Sequence, residues 1–345
     1  MKRNTNILFF GLGSIGQRHL RNLKKILSNK VNFYAYRKTR HVPLLNNKGN
    51  KIKGGVEKRY NISTISDLNF ADTFNIDIVF ITNPSSLHIS SVLKLKCLKN
   101  SYIFIEKPID SSLKNYSKFL NHIRKHKMQV FVGYNMRFHP GYIRLKNILR
   151  NKTILKSVNY AIYKCSKNLK DYHNYEDYKI SYAARKELGG GVCLTGVHEI
   201  DMMLDLFGNA KPLKYHSDKL STLKLNVEDF SISFYKNFLL KKKIISLLIL
   251  DFIQISEERY IKIVCDNGEI FLDLRNCSLK IIKRKNVKTY HFIKNKNLMY
   301  INELRSFLNF FKKRRKIPDQ YNEKNAFKSL KLALEIKKKF KIQKN

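Results

Sequence analysis

The sequence predicts an α/β chain that opens with a doubly wound parallel sheet and continues into an α+β region built on an open, mostly antiparallel sheet. In residues 1–133, short apolar runs alternate with helical patterns, which is typical of βαβ units. In residues 134–345, predicted strands follow one another with few helices between them, which indicates antiparallel pairing. We therefore expect two domains, 1–133 and 134–345, with the last helix packing back on the first.

The elements are predicted from periodicity. In the first domain, apolar runs predict strands at 7–10, 32–36, 77–82, 102–105 and 129–134, and helical spacing predicts helices at 17–27 and 111–127 and a helix that contains Val92. In the second, strands are predicted around 154–165, 228–238, 242–254, 259–264, 269–274 and 278–284, and helices around 197–206, 299–313 and 321–341. Asp266-Asn267-Gly268 is typical of a hairpin turn.

Composition narrows the function classes. The net charge of +42 is spread along the chain, and no nucleic-acid-binding motif accompanies it, so we expect no specific nucleic-acid partner. The longest apolar stretch, 244–250, is too short to cross a bilayer, so we expect a cytoplasmic protein without a membrane partner. The five cysteines form no C-x-x-C pair, which argues against a zinc site or a disulfide framework.

Three glycines follow the first predicted strand with the spacing G-x-G-x-x-G. Gly11 allows a tight turn, Gly13 lets backbone approach a pyrophosphate, and Gly16 lets the helix pack on the strand. Ser14 and Ile15 lie at the helix start, where backbone N–H groups and the helix dipole favour phosphate. The spacing predicts a dinucleotide cofactor.

Arg37 indicates which dinucleotide. An acidic residue that binds the ribose 2′-hydroxyl normally ends the second strand of such a fold, but the predicted strand 32–36 is followed by Arg37. A guanidinium forms charge-assisted hydrogen bonds to a 2′-phosphate. The sequence therefore favours NADP(H), with NAD(H) as the alternative, unless Arg37 is one more basic residue of a very basic chain.

Two further segments carry groups suited to acid–base chemistry. Glu106-Lys107-Pro108 ends a predicted parallel strand, where open α/β sheets bind ligands, and a lysine there can donate a proton to a substrate oxygen. His198 and Asp201 lie three residues apart on a predicted helix, so a carboxylate could orient an imidazole that relays a proton. For Glu106 and Lys107 the alternative is a surface ion pair at a strand end, and for His198 it is a buried structural histidine.

Taken in order, the glycine fingerprint, Glu106-Lys107-Pro108 and the segment 189–201 resemble the glucose-fructose oxidoreductase/inositol dehydrogenase/rhizopine catabolism (Gfo/Idh/MocA) family over nearly the whole chain. The resemblance implies an N-terminal Rossmann domain, hydride transfer between NAD(P) and sugar-like carbinols, and a homo-dimer or homo-tetramer. It implies that Lys107 and His198 are catalytic. It also implies that Asn83, Pro84, His88 and Glu106 line the cofactor site, and that Arg137, Tyr182, Thr195 and Asp201 bind substrate.

One departure from the family pattern leaves a second function open. Many members carry an aspartate three or four residues before the histidine, where this chain has Leu194 and Thr195. We expect an oxidoreductase that acts on a sugar, sugar acid or nucleotide-linked sugar. One role that fits this expectation is surface-polysaccharide metabolism. The alternative is a catalytically impaired NADP(H)-binding sensor or assembly protein of the same fold.

Overall fold

The computed structural model describes residues 4–27, 31–37, 42–68, 74–151, 157–239, 242–284 and 286–338. Six strands form the first sheet, all parallel, in the spatial order β5-β2-β1-β6-β7-β8. They and a two-stranded ribbon (β3 and β4) have these bounds: β1 Thr5–Phe10, β2 Val31–Tyr36, β3 Leu44–Leu45, β4 Lys51–Ile52, β5 Ile62–Ile65, β6 Ile78–Ile81, β7 Tyr102–Glu106 and β8 Gln129–Gly133. The doubly wound sheet predicted from the sequence is confirmed.

Phenylalanines from neighbouring strands form one row on a face of this sheet. The rings of Phe9 and Phe80 stack 4.9 Å apart, Phe80 and Phe104 4.9 Å apart, and Phe104 and Phe131 5.5 Å apart. Phe307, from a helix near the end of the chain, closes over the row with its ring centroid 5.4 Å from that of Phe104. The row fixes strand register because a shift of one residue would turn each ring to the other face.

Nine α-helices lie in the described residues: α1 Ser14–Leu27, α2 Val56–Tyr60, α3 His88–Val92, α4 Tyr116–Lys125, α5 Pro140–Arg150, α6 Val192–Thr195, α7 Val197–Phe207, α8 Leu298–Lys312 and α9 Glu323–Lys337. The helix predicted at 111–127 begins later because Asp110 Oδ1 accepts the backbone N–H groups of Ser111 and Ser112, at 2.6 and 3.1 Å. None of the helices is long and apolar enough to cross a membrane. The end of the helix predicted at 321–341 lies outside the described residues.

Eight strands form the second sheet, in the order β10-β11-β12-β9-β13-β14-β15-β16, and only β12 and β9 run parallel. Their bounds are β9 Val158–Ser166, β10 Ala210–Asp218, β11 Phe230–Leu239, β12 Lys242–Asp251, β13 Glu258–Cys265, β14 Gly268–Asp273, β15 Ser278–Lys283 and β16 Asn286–His291. The mostly antiparallel sheet is confirmed; the first residues of the strand predicted at 154–165 lie outside the described residues. The predictions missed β10 and β16, which are the polar edge strands.

Two helices near the end of the chain connect the sheets. Helix α8 packs on α1 and on the phenylalanine row of the first sheet, whereas α9 packs on α7 and contacts both β8 and β10. Phe327 of α9 also lies 6.1 Å from Phe119 of α4. The space between the carboxyl ends of β1, β6 and β7 and the inner face of the second sheet is left as a cavity.

Candidate active site

A cavity of about 1000 Å³ lies at the carboxyl ends of the parallel strands. That volume is at the upper end of the range for small-molecule pockets, as expected for a site that holds two ligands. Most residues predicted for the site line it: Gly11, Gly13, Ser14, Ile15, Arg37, Asn83, Pro84, His88, Glu106, Lys107, Tyr182, Thr195 and His198. Gly16, Arg137 and Asp201 do not.

The glycine loop has the geometry that a dinucleotide requires. Gly11 has φ +91°, and a Cβ built on it would lie 2.7 Å from the backbone nitrogen of Asn83. A Cβ built on Gly16 would lie 2.5 Å from the Gly11 oxygen, so Gly16 serves the packing of α1 on β1. At Gly13, by contrast, a Cβ would meet no atom within 4 Å. The loop therefore leaves open space at the amino end of α1, where a pyrophosphate fits.

The Arg37 side chain pairs with an acidic residue that the sequence analysis did not consider. Its Nη1 donates to Glu57 Oε1, from the first turn of α2, and the guanidinium is almost fully buried. Both groups stand just beyond the end of β2, at the place where the ribose of a dinucleotide is expected in this fold. The expected ribose position is thus bordered by the positively charged Arg37 and the negatively charged Glu57.

Asn83 and His88 shape the wall next to this loop. The Asn83 amide nitrogen donates to Ser91 Oγ at 2.9 Å, and its Oδ1 is buried without a partner in the described residues. The two ring nitrogens of His88 lie 2.8 Å from the backbone oxygens of Asn83 and Pro108. Burial lowers the pKa of His88, so the neutral ring donates to one of these oxygens. A buried, unsatisfied amide oxygen facing a cavity is a suitable ligand contact.

Lys107 reaches across the cavity to the second part of the chain. Its Nζ donates to the backbone oxygen of Thr195 at 3.1 Å, and the peptide bond to Pro108 is cis. Glu106 Oε1 lies 2.6 Å from His19 Nε2, and Glu106 Oε2 accepts the Lys107 backbone N–H at 3.2 Å. Burial lowers the pKa of Lys107, and the negative charge of Glu106 opposes that effect. A lysine with a lowered pKa exchanges protons more readily near neutral pH.

His198 lies on the same wall as Thr195. Burial lowers its pKa well below the ordinary value, and the positive charges of Lys107 and Arg259 lower it further. Its Nδ1 is buried and has no hydrogen-bond partner in the described residues. The Tyr134 ring meets the imidazole edge-on at 5.8 Å. The ring is therefore neutral around pH 7 and able to accept a proton.

Arg137 and Asp201 differ from the expectation that they contact substrate. Arg137 Nε and Nη2 donate to the two carboxylate oxygens of Asp201 at 2.6 and 2.8 Å, and Arg137 Nη1 donates to Asp205 at 3.2 Å. Asn325 donates to Asp201 Oδ1 at 2.9 Å. Asp201 is thus engaged by Arg137 and Asn325 and does not orient His198. His198 and Asp201 do lie three residues apart on a helix, as predicted. However, α7 is buried nearly all round, so its polar side chains contact partners on different sides of the helix.

Several cavity residues were missed by the sequence analysis: Arg18, Tyr172, Tyr175, Arg259 and Tyr300. Arg259 Nε donates to the buried Glu199 at 2.7 Å. A signal for it existed, since Arg259 has the same strand parity as the inward-facing Ile261 and Ile263. The described residues contain no group of three His, Cys, Asp or Glu placed to hold a metal ion.

A glycine-rich loop at the first strand–helix turn of a parallel sheet, next to a cavity lined by a lysine and a histidine, is typical of a dinucleotide-binding Rossmann fold. Residues 5–134 match the model of the oxidoreductase family with an NAD-binding Rossmann fold. This part of the chain is thus similar to the Gfo/Idh/MocA family, in agreement with the resemblance seen in the sequence.

Known proteins support the same assignment. Over 147 residues the chain is 31% identical to a myo-inositol 2-dehydrogenase of Thermotoga maritima and 29% identical to an uncharacterized oxidoreductase, YrbE, of Bacillus subtilis. These matches span 42% of this chain and about two-fifths of each relative, 41% and 39%. The sequence similarity therefore covers less than half of each protein.

Solved structures extend the fold to the second sheet. UDP-N-acetylglucosamine 3-dehydrogenase GnnA from Acidithiobacillus ferrooxidans aligns with a TM-score of 0.73 at 15% identity, covering 97% of both chains. The WlbA dehydrogenase from Bordetella pertussis, solved with NADH and UDP-GlcNAcA, aligns with a TM-score of 0.73 at 13% identity, covering 97% of this chain and 95% of its own. At such identities the likeness shows the fold alone.

Proposed function

We propose that this protein is an NAD(P)-dependent oxidoreductase that transfers a hydride between nicotinamide and a carbinol carbon of a sugar-type substrate: a sugar, a sugar acid or a nucleotide-linked sugar. The observation that carries the proposal is that Lys107 and His198 both line the cavity that the glycine loop opens into. The names of the two relatives, an oxidoreductase and a dehydrogenase, and the sugar nucleotides in the names of two structural neighbours support it.

The bound dinucleotide supplies the hydride-transfer chemistry, and the residues of this chain hold the substrate oxygen and its proton. Lys107 Nζ is positioned by its hydrogen bond to the Thr195 backbone oxygen. It donates a second hydrogen bond to the substrate oxygen and so polarises the carbon–oxygen bond. His198, neutral at pH 7, accepts the hydroxyl proton in oxidation and returns it in reduction. Tyr182 and Thr195 line the same cavity, and their hydroxyl groups supply further hydrogen bonds to the substrate.

We further propose a preference for NADP(H), on the strength of Arg37. The guanidinium stands beyond β2, and a guanidinium forms stronger, charge-assisted hydrogen bonds to a 2′-phosphate than to a 2′-hydroxyl. Glu57 next to it is the group that favours NAD(H). Replacing Arg37 by Gln should weaken NADPH binding about 10-fold or more and leave NADH binding within about 2-fold. Titration of both reduced cofactors measures this, and equal losses for both would refute the preference.

A homo-oligomer is proposed from the outer face of the second sheet. Three large aromatic side chains are exposed on this face: Phe234 (39%) and Phe238 (54%) of β11, and Tyr160 (42%) of β9. These residues alternate with buried neighbours, so they point away from the face that α7 and α9 cover. Sedimentation of the purified protein tests this, and a monomer at micromolar concentration would refute it.

The activity is tested with a panel of sugars, sugar acids and nucleotide sugars, each with NADPH and NADH or their oxidised forms. Lys107→Met and His198→Ala should each lower turnover about 10²- to 10⁴-fold while the cofactor dissociation constant stays within about 2-fold. Lys96→Met, an exposed lysine outside the cavity, is the matched control. Cofactor binding without turnover of any substrate would instead favour the sensor or assembly protein, for which Thr195 in place of aspartate is the supporting feature.

A further inference from the structure

Arg18 lies in the cavity and plays no part in the chemistry described above. It stands in the first turns of α1, two residues after Gly16, and lines the cavity together with Lys296, Met299 and Tyr300. Its guanidinium carbon lies 4.6 Å from the centre of the Tyr300 ring. Such stacking on an aromatic face holds the guanidinium plane in one direction and leaves its N–H edge available.

The partner that holds Arg18 is itself fixed in place. One turn further along α1, Asn22 exchanges two amide hydrogen bonds with Asn297, at 3.1 and 2.9 Å, immediately before α8 begins. The imidazole of His19 also meets the Tyr300 ring edge-on at 6.1 Å. The start of α8 is therefore pinned to α1 at two successive turns, and the stacked pair is part of a built wall.

Within the described residues, no ion pair compensates the charge of Arg18. No carboxylate there lies within ion-pair distance of it, whereas Arg37 and Arg259 each have one and Arg137 has two. Arg18 lines the same cavity as Lys107 and His198. A half-buried, oriented and uncompensated guanidinium in a ligand cavity is suited to bind anionic oxygens.

We propose that Arg18, oriented by Tyr300, is a subsite for an anionic group of the substrate, a phosphate or a carboxylate. The proposal rests on the function proposed above and narrows its substrate class to sugars that carry a negative charge. The subsite binds the anion at the start of α8 and so holds the sugar with its carbinol towards Lys107. Neutral sugars would lack this anchor and bind more weakly.

The test uses the NADPH-loaded protein, titrated by calorimetry with three probes: UDP-N-acetylglucosamine for phosphate, glucuronate for carboxylate, and N-acetylglucosamine as the neutral sugar. The wild type should bind at least one anionic probe about 10-fold or more tightly than the neutral one. Arg18→Gln should lower the affinity for that probe about 10- to 100-fold and leave the neutral sugar unaffected. The probe that loses affinity identifies which anion the subsite takes.

Two further variants complete the design. Lys25→Gln removes an exposed positive charge from the same helix and should change no affinity, which separates a local contact from the general attraction of a basic surface. Tyr300→Leu should weaken the anionic probe in the same direction as Arg18→Gln, because it removes the stacking that orients the guanidinium.

The outcomes that overturn this inference differ from those that overturn the proposed function. A wild type that binds neither NADPH nor NADH refutes the function. A wild type that binds cofactor but shows no preference for anionic probes, or an Arg18→Gln variant that keeps that preference, refutes the subsite alone. Weakened NADPH binding in Arg18→Gln with unchanged probe binding would also refute it, since the guanidinium would then serve the cofactor.

Discussion

Lys107 and His198 show how burial adjusts two groups for opposite tasks. Burial is the main cause that lowers the pKa of each side chain. For the lysine the lowered pKa brings the ammonium closer to releasing its proton, and the negative charge of Glu106 opposes this shift. For the histidine it keeps the ring neutral, so a ring nitrogen is free to accept a proton. One environment therefore yields a polarising cation beside a proton acceptor.

The pH dependence of turnover follows from these shifts. Oxidation requires neutral His198, so its rate should fall on the acid side only well below pH 6.5, and His198→Ala should remove this limb. Loss of the Lys107 charge should lower activity on the alkaline side with an apparent pKa below 10.5. Steady-state rates from pH 5 to 10 test both, and an acid limb centred above pH 6.5 would contradict the assignment of His198.

The glycines of the loop separate folding from binding. Gly13→Ala should fold like the wild type, because the added methyl group meets no atom within 4 Å, yet it should weaken cofactor binding about 10-fold or more by filling the pyrophosphate space. Gly11→Ala should also destabilise the fold, by at least about 1–3 kcal/mol, since it forces a Cβ into positive φ. Urea unfolding and NADPH titration distinguish the two, and equal stabilities would contradict this reading.

Helix α8 and strand β7 pack in a fixed register that brings an acidic residue behind the site. Phe311 contacts Tyr102 at 5.5 Å, and Phe307 contacts Phe104 at 5.4 Å. Four residues of helix rise about as far as two residues of strand, so the next pair is Glu303 and Glu106. Glu303 is fully buried, with no hydrogen-bond partner for either oxygen in the described residues. Burial, with the Glu106 charge adding to it, raises the pKa of Glu303 well above the usual value.

The raised pKa of Glu303 predicts a stability that depends on pH. The folded protein keeps this carboxyl protonated at pH values where the unfolded chain ionises it, so its contribution is complete at low pH and is lost as pH rises. Glu303→Gln removes this loss. Its free energy of unfolding, compared with that of the wild type, should therefore increase when the pH is raised from 5 to 8. Urea unfolding at both values measures it, with Glu335→Gln on α9 as control; a constant difference between variant and wild type would exclude the titration.

At the scale of the whole molecule, a buried charge network joins the end of the first sheet to the last helices. Arg137 follows β8, its partners Asp201 and Asp205 lie on α7, and Asn325 on α9 completes the set. Lys146 of α5 adds a second cation to Asp205 at 2.7 Å. The network therefore ties α7, which carries His198, to the segment that follows β8 at the edge of the first sheet.

Removing the central cation should destabilise the whole fold. Arg137→Met leaves Asp201 buried without its bidentate partner, and we expect a loss of about 3–5 kcal/mol in the free energy of unfolding. Arg144→Met, at a residue that contacts Tyr290 on the surface, serves as control and should change stability little. A small loss in Arg137→Met, measured by urea unfolding, would mean that the carboxylates are neutralised in another way.

The sequence by itself determined the fold class, the glycine loop and the two segments that carry Lys107 and His198. These features depend on residues that are close together in the sequence: strand and helix periodicity, the spacing of three glycines, and polar residues at strand ends. The parallel and antiparallel sheets followed for the same reason.

Only the tertiary structure decided which polar residues share a cavity. Arg137 and Asp201 looked like substrate contacts but pair with each other, whereas Arg18, from α1, meets Tyr300, from α8, across 282 residues of chain. Such partners are set by how helices pack on sheets, because burial makes each charge find whichever opposite charge or aromatic face is near in space. Spacing along the chain specifies the faces of an element but not the element that covers them.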